Sequence, residues 1–224
     1  MSAREAILGR VRASLGRGRL DVDKSAELDA RLNAPIANLV PARGQVSGAA
    51  AVEDFIQMTL GAAATLEEVA TDLEIPAAIA RYLASENLPA RLVQTQEIAD
   101  RLDWDAVPQV ETRSGPAVSE DEVGLAMALA GVAETGTLIL RSGVQAPTTV
   151  NFLPDTHIVV LRRDDVVGGY EEAWARLRET CLDADGRLPR TVNMITGPSR
   201  TGDIEQTLQL GAHGPRRLHV VLVG

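Results

Sequence analysis

The sequence predicts an α/β fold, a parallel-leaning sheet with helices on its faces, preceded by a helical extension. Three observations predict it. From Val46 onward, segments with helical apolar spacing alternate with short β-rich runs. Leu218 to Val223 is an apolar run of the kind a buried strand shows. Between Thr191 and that run, the stretch Thr196 to Pro215 reads as the end of a strand, a loop, a helix, a turn and the entry to the next strand.

Taken in order, Ser2 to Leu15 carries a capping box, with Ser2 as cap and Glu5 at its third position, and Ala3, Ile7, Val11 and Leu15 form an apolar stripe. Such a helix either packs on its own domain or docks on another chain. Gly16 to Gln45 is punctuated by Gly16, Gly18, Pro35 and Pro41 around a charged segment, and reads as a partly helical linker. Residues 1–45 therefore form an arm and linker, and residues 46–224 the α/β domain. Within the domain the spacing predicts a helix over 47–60, a strand over 65–70, a helix over 76–84 opened by Pro76, and strands over 90–93 and 107–110. Val123 to Leu125 follows as a short strand, Ala126 to Ala130 as a helical turn, and Thr137 to Leu140 as a central strand. Tyr170 to Leu182 reads as a helix, and Thr191 to Ile195 as a strand.

Composition narrows the function. With 45% hydrophobic residues the 224-residue chain has ample material for a core, but only two each of Phe, Tyr and Trp, so base-stacking platforms are scarce. A formal net charge of −9 argues against nucleic acid, whose affinity comes largely from phosphate neutralisation. The apolar run at 123–133 is too short for a membrane span, which takes about 20 residues. The lone Cys181 forms no internal disulfide and, with three His, completes no four-ligand zinc or iron–sulfur site, which points to the cytoplasm and to a chain without its own metal cofactor. Its place late in a helix fits a small buried hydrophobe.

The richest stretch for chemistry is 196–215. A strand that ends in a Gly-containing loop and opens into a helix offers free N–H groups and a positive dipole end to an anion. Gly197 and Gly202 have P-loop spacing, but Asp203 and Ile204 stand where Lys and Ser/Thr belong, which excludes an NTPase. What remains is an anion loop built on Arg200, with Ser199 or Thr201 capping a helix over 202–210, Asp203 and Glu205 in its first turn, and His213 in the Gly-rich turn that follows. His157, next to an apolar run, begins a strand and satisfies a loop carbonyl. Upstream, Glu134 lies between apolar segments, where burial suits a carboxylate to acid–base work or nucleophilic attack.

Four blocks together, Ala133-Glu134-Thr135-Gly136-Thr137, Leu153 to Ile158, Gly197 to Glu205 and Gly211 to Pro215, resemble the successive signatures of the LUD domain family, and the resemblance runs over most of the chain. It implies a Rossmann-like sheet similar to the fold of glucosamine-6-phosphate deaminase, ribose-5-phosphate isomerase and CoA transferases. It further implies participation in oxidising L-lactate to pyruvate beside two partners that carry iron–sulfur clusters. On this reading the chain binds a small carboxylate or phosphorylated ligand between two loops, with Glu134, Thr135, Gly136 and Thr137 on one side and Ser199, Arg200, Thr201, Asp203 and His213 on the other. Two other classes compete: a stand-alone acyl- or sugar-phosphate-processing enzyme using Glu134, and a scaffold without chemistry.

Overall fold

The computed structural model describes residues 2–16, 18, 20–36, 39–201, 209–211 and 213–224. It contains two compact units, Met1–Leu39 and Val40–Gly224. The first holds α1 (Ala3–Ser14) and α2 (Val22–Asn33). The capping box of α1 forms: the Glu5 N–H donates to Ser2 Oγ at 3.2 Å and the Ser2 N–H to the Glu5 carboxylate at 2.6 Å. No residue of α1 is buried. Asp21 caps α2, accepting from the Lys24 N–H at 2.7 Å.

The second unit runs α3 (Gly48–Gly61), β1 (Thr65–Val69), α4 (Ile75–Ser85), β2 (Arg91–Gln94), α5 (Gln96–Ala99), β3 (Glu111–Ser114), β4 (Val123–Met127), β5 (Ala130–Val132), β6 (Thr137–Arg141), α6 (Thr149–Phe152), β7 (Thr156–Arg162), β8 (Val166–Val167), α7 (Tyr170–Cys181), β9 (Val192–Ile195), β10 (Arg200–Thr201), β11 (Gln209–Leu210) and β12 (Arg217–Val223). Six strands form a parallel sheet in the order β1-β12-β7-β4-β2-β3, and four more form a second sheet, β8-β5-β6-β9. In the second sheet β5 pairs parallel to β8 and antiparallel to β6, and β6 pairs antiparallel to β9.

Side-chain alternation sorts the central strands into two cores. Ile158, Val160, Val221 and Val223 face α4 through Ile75, Ile79 and Leu83, while Val159, Leu161, Val220 and Leu222 face α3 through Val52 and Phe55, with Leu138 and Leu140 of the second sheet. The far side of the second sheet packs Ala130, Val132 and Ile139 on Ala173 of α7. The layers are thus α4, the parallel sheet, α3 with the second sheet, and α7.

Three expectations fail for identifiable reasons. Val107 and Val110 are buried, but from consecutive turns, the Val107 N–H donating to Trp104 O at 2.9 Å and the Val110 N–H to Val107 O at 3.0 Å; their β-branched side chains suggested a strand, whereas two inward residues three apart fit turns. Ala126 to Ala130 is not helical: Ala126 and Met127 end β4 and Ala130 opens β5, and Leu125 and Ala126 serve opposite cores of a sheet covered on both faces, which removes the alternation that would have marked them. The helix expected over 202–210 fails at its end, because Gln209 and Leu210 pair antiparallel with Thr201 and Arg200; residues 202–208, with Asp203, Ile204, Glu205 and Leu208, lie outside the described residues. Cys181 is only half-buried, on the last turn of α7.

Candidate functional site

A cleft of about 450 Å³ opens where β7 and β12 begin. Its deepest residues are His157 of β7 and Leu218 of β12, which are register partners, and Asn151 of α6; they are 0, 3 and 3% exposed. Phe152 and the segment Met194 to Arg200 form its sides, and His213, Gly214 and Pro215 its rim. The rim is clipped to the side by two backbone bonds: the Ser199 N–H donates to Pro215 O at 2.8 Å, and the Gly211 N–H to Ser199 O at 3.0 Å. The turn that carries His213 therefore lies along the loop that carries Ser199 and Arg200.

Charge in the cleft is one-sided. Among the described residues that line it there is one Arg, two His and no carboxylate, in a chain of net charge −9. The guanidinium of Arg200 donates to the carbonyl of Ala62, just past α3, which anchors the side chain at the edge of the cleft. Arg200 and Thr201 belong to a strand ladder and the Ser199 N–H is spent on Pro215, while the helix N–H groups that the sequence suggested fall on residues 202–208, outside the described residues.

His157 was expected to satisfy a loop carbonyl, and it does not. Neither ring nitrogen has a hydrogen-bond partner among the described residues, and the same holds for Oδ1 of Asn151. Burial pushes the His157 imidazole down to about 3, so the ring is neutral at physiological pH. Asn151 carried no signal in the sequence beyond its place before the Leu153 to Ile158 block.

The residues of the first block sit elsewhere. None of Glu134, Thr135, Gly136 and Thr137 lines the cleft. Glu134 follows β5, its N–H donating to Gly168 O at 3.0 Å, and its buried carboxylate accepts from Arg43 Nε at 3.3 Å, with Nη2 of the same ion pair 3.2 Å away. Gly136 makes the turn into β6 with φ +66°, and a Cβ there would stand 2.6 Å from the Thr59 nitrogen of α3. Thr135 Oγ1 lies 2.7 Å from Thr137 Oγ1, and the Tyr170 hydroxyl lies 2.9 Å from each. A further contact, Thr137 Oγ1 to Thr196 Oγ1 at 2.6 Å, joins this network to the cleft, since Thr196 lines it.

Among the described residues no three His, Cys, Asp or Glu side chains form a metal-binding group, and no helix is long and apolar enough to cross a membrane.

Comparison with known proteins agrees with this architecture. A lactate utilization protein C from Geobacillus thermodenitrificans is 35% identical over 107 residues, covering 48% of this chain and 44% of that protein. Another from an Exiguobacterium strain is 33% identical over 126 residues, 56% of this chain and 54% of that protein. The chain thus spans about half the length of the curated relatives it matches. The crystal structure of a DUF162 family protein from Deinococcus radiodurans is similar with a TM-score of 0.57 and 25% identity, covering 80% of this chain and 99% of that one. The LUD domain profile matches residues 26–223, nearly the whole chain, and the protein belongs to the LUD domain family.

Proposed function

We propose that this chain is the cluster-free, ligand-binding component of a cytoplasmic lactate-utilising system, and that it holds a small organic anion in the cleft between the Arg200 strand and the start of β7. The names of its relatives support the lactate context. The single cysteine supports iron–sulfur partners, since any cluster must be carried by other chains. The N-terminal helix, α1, which buries no residue, is the segment we assign to docking on them. Kinship with the CoA-transferase, deaminase and isomerase fold belongs to the same proposal, supported by the parallel sheet and its flanking layers.

The observation that carries the ligand site is the pairing of Arg200, in a lining with no carboxylate among the described residues, with buried polar side chains that have no partner among them. A charge-assisted contact from Arg200 is worth roughly 1.5 to 3 kcal/mol, or about ten- to a hundredfold in affinity. Calorimetric titration of the parent and Arg200→Ala with lactate, pyruvate, phosphate and CoA tests it. The expected result is binding of at least one anion that weakens by that factor in the variant. Equal binding by both proteins, or none by the parent, removes the cleft as the anion site.

A further inference from the structure

We propose that the cleft takes an anion with a flat apolar body: Arg200 holds the charged end, and a ring on the ligand seats against Phe152 and Met194. This rests on the anion reading above and adds the class of molecule that carries the charge. Phe152 and Met194 line the cleft and are 43 and 44% exposed, although both are large apolar side chains. The chain has two phenylalanines, and the other, Phe55, is fully buried in the core. Ile195, Pro215 and Leu218 add to the apolar lining. At about 450 Å³ the cleft falls among those of about 300 to 1000 Å³ that hold ring-bearing ligands, and a three-carbon acid would leave most of it to water.

Close packing sets Phe152 in the wall. Gly124 of β4 is the register partner of His157, and a Cβ there would stand 2.4 Å from the Val150 carbonyl and 3.0 Å from the Pro154 ring. The absent side chain lets the α6 turn descend onto the sheet, where Val150 is fully buried and Phe152, at the end of the turn, is left half-exposed. On the rim, a Cβ at Gly214 would meet Phe152 Cδ1 at 3.9 Å and Ser199 Cβ at 3.5 Å. The ring and the Ser199–Arg200 segment thus stand one side chain apart, and the glycine leaves that gap open.

The two ends of the cleft ask for different chemistry in one molecule. An aromatic ring and a thioether attract a flat, polarisable ring through stacked or edge contacts. Arg200 gives one guanidinium nitrogen to Ala62 O and keeps further N–H donors for a carboxylate or phosphate. A bare anion engages only the arginine, and a neutral ring only Phe152 and Met194. Aryl carboxylates and aryl phosphates engage both and share this chemistry.

The test is calorimetric titration of the full chain with two matched pairs, phenyl phosphate against methyl phosphate and phenylacetate against acetate. We expect the ring-bearing member of one pair to bind at least about tenfold tighter than its partner, the gain that burying one ring supplies. The pair that discriminates identifies the head group. Phe152→Ala abolishes the preference, and Gly214→Leu, whose Cβ meets nothing closer than 3.5 Å, abolishes it by filling the gap. Arg200→Ala weakens both members of the pair alike. Equal binding within both pairs by the parent overturns the ring seat and leaves the anion reading standing if Arg200→Ala still weakens binding. A preference that survives in both Phe152→Ala and Gly214→Leu also overturns the ring seat. Affinity unchanged in Arg200→Ala overturns the anion reading, and binding of none of the four by the parent overturns both.

Discussion

Glu134 and His157 are both buried polar side chains from recognisable sequence blocks, and the fold completes one and leaves the other incomplete. Glu134 lies past the carboxyl end of the parallel β5–β8 pair, the side of an open α/β sheet where ligands usually bind. There the protein supplies the partner itself, through Arg43 of the segment that leads into α3. His157 stands at the opposite, amino end of β7 among the residues that line the cleft, with both ring nitrogens unpaired among the described residues. The contrast teaches that burial alone does not tell a polar side chain that the fold has paired from one that it has not. The Glu134 carboxylate has its charge partner at Oε1, whereas neither nitrogen of the buried His157 ring has a partner among the described residues.

The comparison is broken most forcefully at Gly136. Its positive φ and the 2.6 Å approach of a Cβ to the Thr59 nitrogen leave no room for a side chain, so Gly136→Ala should cost about 3 kcal/mol or more and lower the melting temperature by on the order of 10 °C. Circular dichroism melts check it; a shift under about 2 °C would mean the turn and α3 separate readily.

Acid sharpens the comparison next. Burial holds His157 at about 3 and His219 at about 4, against 6.5 for a free imidazole. Between those values the unfolded chain binds protons that the fold refuses, so the two residues have no effect above about pH 7 and destabilise progressively as pH falls from 6.5 toward 4. Each contributes up to about 1.4 kcal/mol per pH unit over that window. Melting temperatures from pH 7 to 4 should fall less steeply in His157→Leu than in the parent. Identical slopes would show that the ring takes up protons in the folded state.

A smaller effect is expected at Thr137, the fully buried hydroxyl that joins the two regions through Thr196. Thr137→Val should cost about 1 to 2 kcal/mol in denaturant melts, Thr135 and Tyr170 remaining paired to each other. Ligand affinity in the cleft should be unchanged, and a loss greater than about tenfold would make the hydroxyl network part of the site.

What was legible in the sequence follows the same physics. Ser2 to Leu15 was readable from its capping box, although none of its residues is buried, whereas the Pro76 helix and the strand read at 218–223 were readable because local signals and burial agree. The 126–130 region was not, because a strand buried on both faces loses its alternation. The clip of the His213 turn onto Ser199 rests on backbone bonds that no residue type announces. Ser199, Arg200 and His213 were legible as polar residues among glycines. His157 was visible but misread, since a sequence cannot say that a buried histidine lacks a partner, and Asn151 depends on a helix descending over Gly124.

The most direct measurement is a paired one on Arg43→Ala and Arg200→Ala, each with a melting curve and an anion titration. If the Arg43–Glu134 pair is structural and the Arg200 cleft binds, the two variants should fail in opposite assays. Arg43, largely exposed, should cost about 1 kcal/mol, a few degrees of melting temperature, with affinity unchanged. Arg200→Ala should melt within about 2 °C of the parent and lose about tenfold or more in affinity. Loss of anion binding in Arg43→Ala with Arg200→Ala unaffected would contradict the account and move the site to Glu134.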